Sequence, residues 1–285
     1  MTSSTATIKR LMRERPHLRE PLQFYRRVCE LWRAAVPDDL SQALVPPDER
    51  PLRLAKGLPL LDPPRLIAAD LRHTAETLTR LLALLRARNP GLARASDALN
   101  AALGEGPERA RALARWVGGQ EAPLPPDVPR EFAGYALRLA LRPSLAALLP
   151  TLRETFTDRA WNHPVCPLCG FPPAMAEERD RDRRFFCSLC PADWIYTVSA
   201  CPFCGNATEQ HLACAVEDVE PGYHIAICTR CHGYLKTAHP HEMGREIDPP
   251  LEDLLTVPLD HAAQRDGYRS PIETAAAVAG VSPAR

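Results

Sequence analysis

Apolar residues recur at helical spacing near the start of the chain. One stripe runs through Leu22, Tyr25, Cys29, Trp32 and Val36 at intervals of three and four, and Pro37 follows it directly. This spacing predicts one face of a helix that ends at the proline. Cys29 lies on that face, and we expect it to be a small buried hydrophobe and not a reactive thiol.

A second helical pattern begins at Asp62, which two prolines follow. An N-cap residue before proline at the first helical position is a typical start, and the pattern predicts one helix from Asp62 to Arg88. Its apolar face carries Ile67, Leu71, Thr74, Leu78, Leu81 and Leu85. Further helices are predicted near residues 93–103, 108–117 and 130–141, so the first 155 residues are expected to form an all-helical domain.

The pattern changes to alternation in the second half of the chain. Trp194, Tyr196 and Val198 alternate with other residues, and so do Tyr223, Ile225 and Ile227 further along. A period of two predicts short strands in both places.

Cysteines dominate the chemistry of this second half. Nine of the ten lie between positions 166 and 231, and eight of them form four C-x-x-C pairs. The pairs are Cys166 with Cys169, Cys187 with Cys190, Cys201 with Cys204, and Cys228 with Cys231. Seventeen residues separate the first pair from the second, 23 separate the third from the fourth, and the CPLCG and CPFCG motifs begin 35 residues apart. This internal duplication predicts two four-cysteine metal sites.

The spacing within each pair suits a metal-binding turn. Two intervening residues let a tight turn aim both sulfurs at one ion, and Gly170 and Gly205 follow the second cysteine, where positive φ is expected. The predicted ligands are Cys166, Cys169, Cys187 and Cys190 for one site and Cys201, Cys204, Cys228 and Cys231 for the other. Four protein thiolates leave no open coordination position, which argues for structural or one-electron redox centres and against hydrolytic catalysis. Both zinc and iron take such sites.

These patterns together predict an α+β protein with four parts. They are a helical domain at 1–155, two small four-cysteine modules at 160–198 and 199–245, and a partly helical C-terminal segment at 246–285. The CPxCG knuckles resemble those of rubredoxins, so the modules are expected to be rubredoxin-like or zinc-ribbon-like, with iron favoured over zinc for the two metal ions.

The remaining thiol and histidines of the cysteine half are expected to have no ligand role. Cys214 is interpreted as an inert structural residue. The histidines at 163, 211, 224, 239 and 241 are interpreted as surface residues or neighbours of ligands. The stretch CTRCHG also fits the C-x-x-C-H signature of covalent haem, but its cysteines already complete a four-thiolate set, so no haem is expected.

Charge is distributed unevenly although the 285 residues carry no net charge. Residues 1–150 hold 23 basic against 16 acidic side chains, whereas residues 161–247 hold 7 against 11. The net −4 of the cysteine half is opposite to the basic surface that nucleic-acid binding requires, so no nucleic-acid partner is expected.

Several function classes lack their motifs in this sequence. The first residues, MTSSTATIKRLMRERPH, contain no apolar leader, and no window approaches the roughly 18 apolar residues that span a bilayer. We therefore expect a cytoplasmic protein without membrane insertion. The helical half has no phosphate-binding glycine loop and no nucleophile elbow, and the closed four-thiolate sites argue against hydrolysis, so no enzymatic activity is predicted.

The cysteine half resembles the formate dehydrogenase accessory protein family, FdhE. The similar stretches are the four C-x-x-C pairs in order, FFCSLCPADW at 185–194, CTRCHGYLK at 228–236 and DLLTVPLDHAAQRDGYRS at 253–270. Over the helical half the resemblance is only architectural. Position 232 is His where the family commonly has a small residue.

The resemblance implies a cytoplasmic, non-enzymatic factor that acts on the catalytic subunit of a respiratory formate dehydrogenase before that subunit is exported. By this interpretation the two modules either bind the client or pass electrons to it. Two other classes stay open as alternatives: a free-standing rubredoxin-like electron carrier and a zinc-ribbon protein that binds nucleic acid.

Overall fold

The computed structural model describes residues 5–88, 90–117, 124–155, 161–179, 182–208, 210, 212–215 and 222–278. The chain divides into two compact units. One lies within residues 4–53 and 59–155, and the other lies within 156–285 together with 54–58.

The N-terminal part of the described chain is helical, as predicted. It contains α1 (Thr5–Glu14), α2 (Arg19–Ala34), α3 (Arg50–Ala55), α4 (Pro63–Ile67), α5 (Arg72–Arg86), α6 (Pro90–Ala102), α7 (Gly106–Val117), α8 (Arg130–Ala146) and α9 (Leu149–Thr155), with short 3₁₀ helices at Pro16–Leu18 and Ser41–Ala43. The helices predicted near 93–103, 108–117 and 130–141 correspond to α6, α7 and α8. Helices α1, α3 and α9 have no counterpart in the sequence prediction.

The first predicted stripe is correct except at its end. Leu22, Tyr25 and Cys29 are buried on α2, which confirms the interpretation of Cys29 as a core residue. Val36 lies beyond the last helical residue and is 60% exposed, because the chain is already extended at Ala35 before it reaches the proline.

The single helix predicted from Asp62 to Arg88 is wrong, because the structure has two. Asp62 and the following proline begin α4, but this helix ends at Ile67, and α5 starts afresh at Arg72. The break is stabilised by polar groups that the periodic pattern ignores. The Asp70 carboxylate accepts a hydrogen bond from the Arg72 backbone N–H at 3.1 Å, and Asp38 accepts hydrogen bonds from the N–H groups of His73 and Thr74 in the first turn of α5.

The second unit is built around one six-stranded sheet. Its strands are β1 (Pro173–Arg179), β2 (Asp182–Cys187), β3 (Asp193–Ile195), β4 (Leu212–Ala215), β5 (Tyr223–Cys228) and β6 (Gly233–Ala238), in the order β3-β2-β1-β6-β5-β4. Each cysteine segment contributes three neighbouring antiparallel strands, and the parallel pair β1–β6 joins the two halves. Helices α10 (Pro240–Met243), α11 (Pro249–Leu255), α12 (Val257–Arg265) and α13 (Pro271–Val278) follow.

This arrangement of helices and sheet confirms the predicted α+β class. The strand predicted around Tyr223 and Ile225 is β5. The strand predicted through Trp194 is shorter than expected, because β3 ends at Ile195 and Val198 is 40% exposed. The residue bounds given for the four separate parts stay predictions.

One face of the sheet packs against α12. On this face, Met175, Tyr223 and Tyr234 form a buried apolar cluster with Leu259 and Ala263 of α12. Since side chains alternate along a strand, the neighbours of these residues in β1, β5 and β6 point to the other face. No helix in the described part of the chain is long and apolar enough to cross a membrane.

Candidate metal centres

The first four-cysteine cluster lies at one end of the β1–β2 hairpin. Cys166 and Cys169 belong to the turn before β1, while Cys187 ends β2 and Cys190 lies in the loop after it. The Sγ atoms are 3.5 Å apart for Cys166 and Cys190, 3.4 Å for Cys169 and Cys187, and 3.6 Å for Cys169 and Cys190. All four sulfurs therefore converge on one point.

The second cluster repeats this arrangement at one end of the antiparallel pair β4–β5. Cys201 and Cys204 form the leading turn, Cys228 ends β5, and Cys231 lies in the turn to β6. The Sγ atoms are 3.7 Å apart for Cys201 and Cys231 and 3.8 Å for Cys204 and Cys228. The structure thus brings the eight cysteines together in the two sets that the duplication predicts.

The donor sets fit a tetrahedral metal ion. Four thiolates at about 2.3 Å from a central ion lie roughly 3.8 Å from one another, close to the separations observed in both clusters. Burial raises the pKa of Cys166 and of Cys169 well above the ordinary value for a thiol, so thiolates crowded here need a cation to stay ionised. Each cluster could bind one metal ion, and zinc and iron both accept this geometry.

The backbone of each leading turn is closed by a glycine. The N–H of Gly170 donates to the Cys166 carbonyl at 2.9 Å, and the N–H of Gly205 donates to the Cys201 carbonyl at 3.0 Å. Both glycines have positive φ, 77° and 68°, as the sequence predicted. In the fourth knuckle the same place is held by His232, which has a φ of 56° without being glycine.

Backbone N–H groups of these turns also donate hydrogen bonds to the cysteine sulfurs. Leu189 donates its N–H to Cys187 Sγ at 3.3 Å. In the second cluster, burial raises the pKa of Cys228, but hydrogen bonds from the N–H groups of Cys231 and Arg230 lower it by more, so its pKa lies below the ordinary value. A thiolate is the form that binds metal, and these donors stabilise it.

The other predicted side chains are placed as follows. Cys214 lies in β4 and His211 lies outside the described residues. His163 precedes the first knuckle, and its carbonyl accepts a hydrogen bond from the Trp194 indole at 3.0 Å. His241 is exposed on α10. His163 and His241 do not belong to either cysteine cluster.

Two of the histidines for which the sequence predicted no ligand role, His224 and His239, lie next to each other. His224 of β5 and His239, the residue after β6, place Nδ1 and Nε2 2.6 Å apart, and Glu178 of β1 completes a group of three possible metal ligands. Burial and the charge of His239 lower the pKa of His224, although the carboxylates of Glu178 and Glu242 oppose this. No spacing motif marks these residues, because they lie in β1, in β5 and just after β6 and meet only in the folded sheet.

Two of the stretches that resemble FdhE, residues 228–236 and 253–270, contact each other around Lys236. This side chain is only 2% exposed, and its ammonium lies 2.6 Å from carboxylate oxygens of both Asp253 and Asp260. The Tyr234 hydroxyl donates to Asp260 at 2.8 Å, and the Arg269 N–H donates to the His232 carbonyl at 2.7 Å. The YLK segment and the segment from 253 to 270 therefore form one structural unit beside the second cluster.

The chain is similar to several proteins that are named FdhE or FdhE homolog. A protein FdhE homolog of Aquifex aeolicus (strain VF5) is 30% identical over 139 residues, which cover 45% of this chain and 49% of that protein. One from Shewanella baltica (strain OS223) is 32% identical over 108 residues, covering 36% of this chain and 35% of that protein. The crystal structure of the FdhE protein from Pseudomonas aeruginosa matches with a TM-score of 0.60 and 25% identity, over 90% of this chain and 87% of that one. The chain is therefore similar to FdhE proteins both in sequence and in structure.

The similarity to FdhE differs in extent between sequence and structure. The chain spans about half or less of the length of the curated FdhE homologs that it matches in sequence. The match to the FdhE crystal structure extends over nearly all of the chain and includes the helical half, where the sequence showed only a similar architecture. No protein-family model matches the chain. The predicted resemblance to FdhE is confirmed.

Proposed function

We propose that this protein is a cytoplasmic accessory factor for the maturation of a respiratory formate dehydrogenase. It binds the catalytic subunit before export, through its two metal–thiolate modules, and does not itself oxidise formate. The observation that carries this proposal is the structural match to an FdhE protein over 90% of the chain, combined with two four-cysteine clusters in the sheet unit.

The metal chemistry of the clusters supports a binding role in preference to catalysis. With Cys166, Cys169, Cys187 and Cys190 as ligands of one ion and Cys201, Cys204, Cys228 and Cys231 as ligands of the other, neither ion has a free coordination position. The rubredoxin-like CPxCG knuckles favour iron. Iron would add one-electron redox chemistry, whereas zinc would leave only the stabilisation of the fold.

Metal analysis of protein purified without added metal tests the ligand assignment. We expect two ions per chain and, with iron, a thiolate-to-iron charge-transfer spectrum. Cys204→Ser should lower the count to one ion per chain, while Cys29→Ala, which changes a buried cysteine of α2, should keep two. Two ions in the Cys204→Ser protein would contradict the assignment of that ligand.

Client binding is tested by co-purification. The tagged full-length chain is produced together with the catalytic subunit of the respiratory formate dehydrogenase from the same genome, with its export leader intact. We expect the subunit to be recovered with the wild-type and Cys29→Ala proteins and to be depleted with Cys204→Ser. Failure to recover the subunit with a wild-type protein that carries both metal ions would overturn the proposal.

A free-standing electron carrier is the second candidate function. Cys169, Cys204 and Cys231 are only partly buried, so both clusters have a side through which electrons could be exchanged. This function predicts iron that is reversibly reduced by a reductase and no stable complex with a formate dehydrogenase subunit. The co-purification experiment therefore separates it from the accessory role.

A further inference from the structure

The sheet brings Glu178, His224 and His239 to one place. In the parallel pair β1–β6, Glu177 is the register partner of Ala238, so the next residues along the two strands, Glu178 and His239, are neighbours. His224 lies on the adjacent strand β5, opposite Thr237. One ligand atom from each of the three side chains lies within 4.8 Å of the other two.

This group is separate from the four-cysteine clusters. His224 is near the start of β5 and Cys228 is at its end, and four residues of extended chain span about 13 Å. It also faces away from the apolar cluster against α12, since Tyr223 and Ala238, the direct neighbours of His224 and His239, point into that cluster. Neither cysteine set contributes a ligand atom to the group.

The three side chains have the chemistry of an open metal site. Two imidazoles and one carboxylate are the protein ligands of many sites that keep a position for water or substrate, in contrast to a closed four-thiolate site. All three residues are half-buried, so solvent reaches the group while part of it is shielded from water. The imidazole nitrogens of His224 and His239 are at hydrogen-bonding distance, 2.6 Å. A tetrahedral ion would hold them roughly 3.3 Å apart, a change that small rotations of the rings can provide.

The backbone around His239 holds this ligand in place. Its N–H donates to the Gly222 carbonyl at 2.8 Å, and its own carbonyl accepts from the N–H groups of Glu242 and Met243 at 3.1 and 3.2 Å. A Cβ on Gly222 would lie 2.5 Å from the Met243 side chain, so the close approach of these segments requires glycine. Such support from the backbone reduces the cost of ordering a ligand when an ion binds.

We propose that Glu178, His224 and His239 form a third metal site, which binds a divalent transition metal of the Zn²⁺ type and leaves one coordination position open. The open position would accept water or a side chain of a bound protein. This site does not depend on the proposed accessory function, because its ligands and its test involve the chain alone.

Calorimetric titration of the full-length protein with Zn²⁺ tests the site. The protein is first loaded until metal analysis shows both thiolate clusters filled. We expect one further equivalent of Zn²⁺ to bind to the wild type. Glu178→Gln, His224→Gln and His239→Gln should each weaken this additional binding at least tenfold while keeping the two thiolate-bound ions. His241→Gln, which changes an exposed histidine two residues from His239, serves as the control and should bind like the wild type.

Spectroscopy with Co²⁺ identifies the ligand type independently of the variants. Cobalt in the third site should add only weak d–d absorption, whereas cobalt bound by thiolates gives intense charge-transfer bands. The proposal is overturned if the loaded wild type takes up no third ion at millimolar Zn²⁺, or if the three variants bind the third ion as tightly as the wild type. It is equally overturned if the third equivalent of cobalt shows thiolate charge transfer.

Discussion

At the scale of single residues, the knuckle turns show how one backbone requirement is met by different side chains. The position after the second cysteine has positive φ in three of the turns, where it is occupied by Gly170, Gly205 and His232. In the remaining turn the residue is Pro191, whose ring fixes φ near −65°, so that turn has a different geometry. His232 adopts a backbone conformation that L-residues disfavour, whereas the equivalent position in two other turns is glycine.

Replacing His232 by glycine should therefore stabilise the second cluster. We expect His232→Gly to raise the free energy of unfolding by about 0.5 to 1 kcal/mol, because relief of the left-handed strain outweighs the greater freedom of glycine in the unfolded chain. Urea unfolding of the metal-loaded protein measures the change. His232→Ala is the control: it also removes the imidazole, which lies 6.0 Å from the Tyr268 ring, but keeps the Cβ and should give no gain. Equal stability of the two variants would contradict the argument.

At the scale of elements, the start of α5 depends on a residue far away in sequence. The carboxylate of Asp38 accepts hydrogen bonds from the backbone N–H groups of His73 and Thr74, both at 2.8 Å, which are donors of the first helical turn. Asp38 is 4% exposed, and its own N–H donates to the Ser144 hydroxyl of α8 at 3.0 Å. One buried carboxylate thus caps one helix and attaches the preceding loop to another.

Loss of this cap should destabilise the helical unit. We expect Asp38→Ala to lower the free energy of unfolding by about 2 kcal/mol, because two helix N–H groups lose a charged acceptor in a buried setting. Asp39→Ala is the matched control, since the neighbouring carboxylate is exposed and accepts the N–H of the nearby Ser41 and no helix N–H of α5 in the described structure. Thermal unfolding followed by circular dichroism at 222 nm would show the difference, and an equal loss in both variants would refute the role given to Asp38.

A second link between elements is the ionic group that joins β6 to α11 and α12. Burial lowers the pKa of Lys236, but the charges of Asp253 and Asp260 raise it by more, so it lies above the ordinary 10.5. The pKa of Asp260 is also raised, mainly by burial and in addition by the charge of Asp253. Lys236 lowers it, but this one ammonium is shared between two carboxylates and does not compensate fully. The pKa of Tyr234 is raised above 10.0 by burial and by the charge of Asp260.

These shifts predict a loss of stability in alkali. Lys236 and Tyr234 hold their protons more tightly in the folded state than in the unfolded state. Their contribution to the free energy of unfolding is therefore constant below about pH 10 and is lost as the pH rises towards their folded pKa values. We expect the free energy of unfolding to fall more steeply above pH 10 in the wild type than in Lys236→Met. Lys56→Met, which changes an exposed lysine, should keep the wild-type slope. Parallel pH profiles for all three proteins would disprove the assignment.

At the scale of the whole molecule, each compact unit has its own source of stability. The helical unit buries an apolar core that includes Leu78 and Leu81 of α5 and Leu137 and Leu141 of α8. The sheet unit buries Trp194, Phe185 and Tyr234, but its strands end at the cysteine clusters. Small ribbons of this kind depend on bound metal for much of their folding free energy.

Removal of metal should therefore affect the two units differently. We expect chelation to speed amide hydrogen exchange in β1, β2, β5 and β6, while the amides of α5 and α8 keep most of their protection. Exchange measured by mass spectrometry on metal-loaded and chelated protein, with reloaded protein as the control, checks this. Equal loss of protection in both units would show that the metal ions stabilise the chain as a whole.

Much of the cysteine chemistry could be predicted from the sequence, because it depends on residues close together in the chain. Two residues between cysteines fix a turn, and duplicated pairs at similar spacing define which four sulfurs belong together. Helices α6, α7 and α8 were likewise predictable, since periodicity and flanking breakers are local signals. The pattern failed between Asp62 and Arg88 because Asp70 and Asp38, which bind the N–H groups at the start of α5, outweigh a continuous apolar stripe.

What the sequence alone determined is the α+β class, the two sets of four cysteines and the resemblance to FdhE proteins. Tertiary structure decided that both cysteine segments share one sheet through the parallel pair β1–β6, that Asp38 caps α5, and that Glu178 meets His224 and His239. The physical reason is the distance along the chain over which each interaction acts. Turn and helix preferences act over a few residues, whereas strand pairing and burial join positions whose separation in the chain leaves no periodic trace.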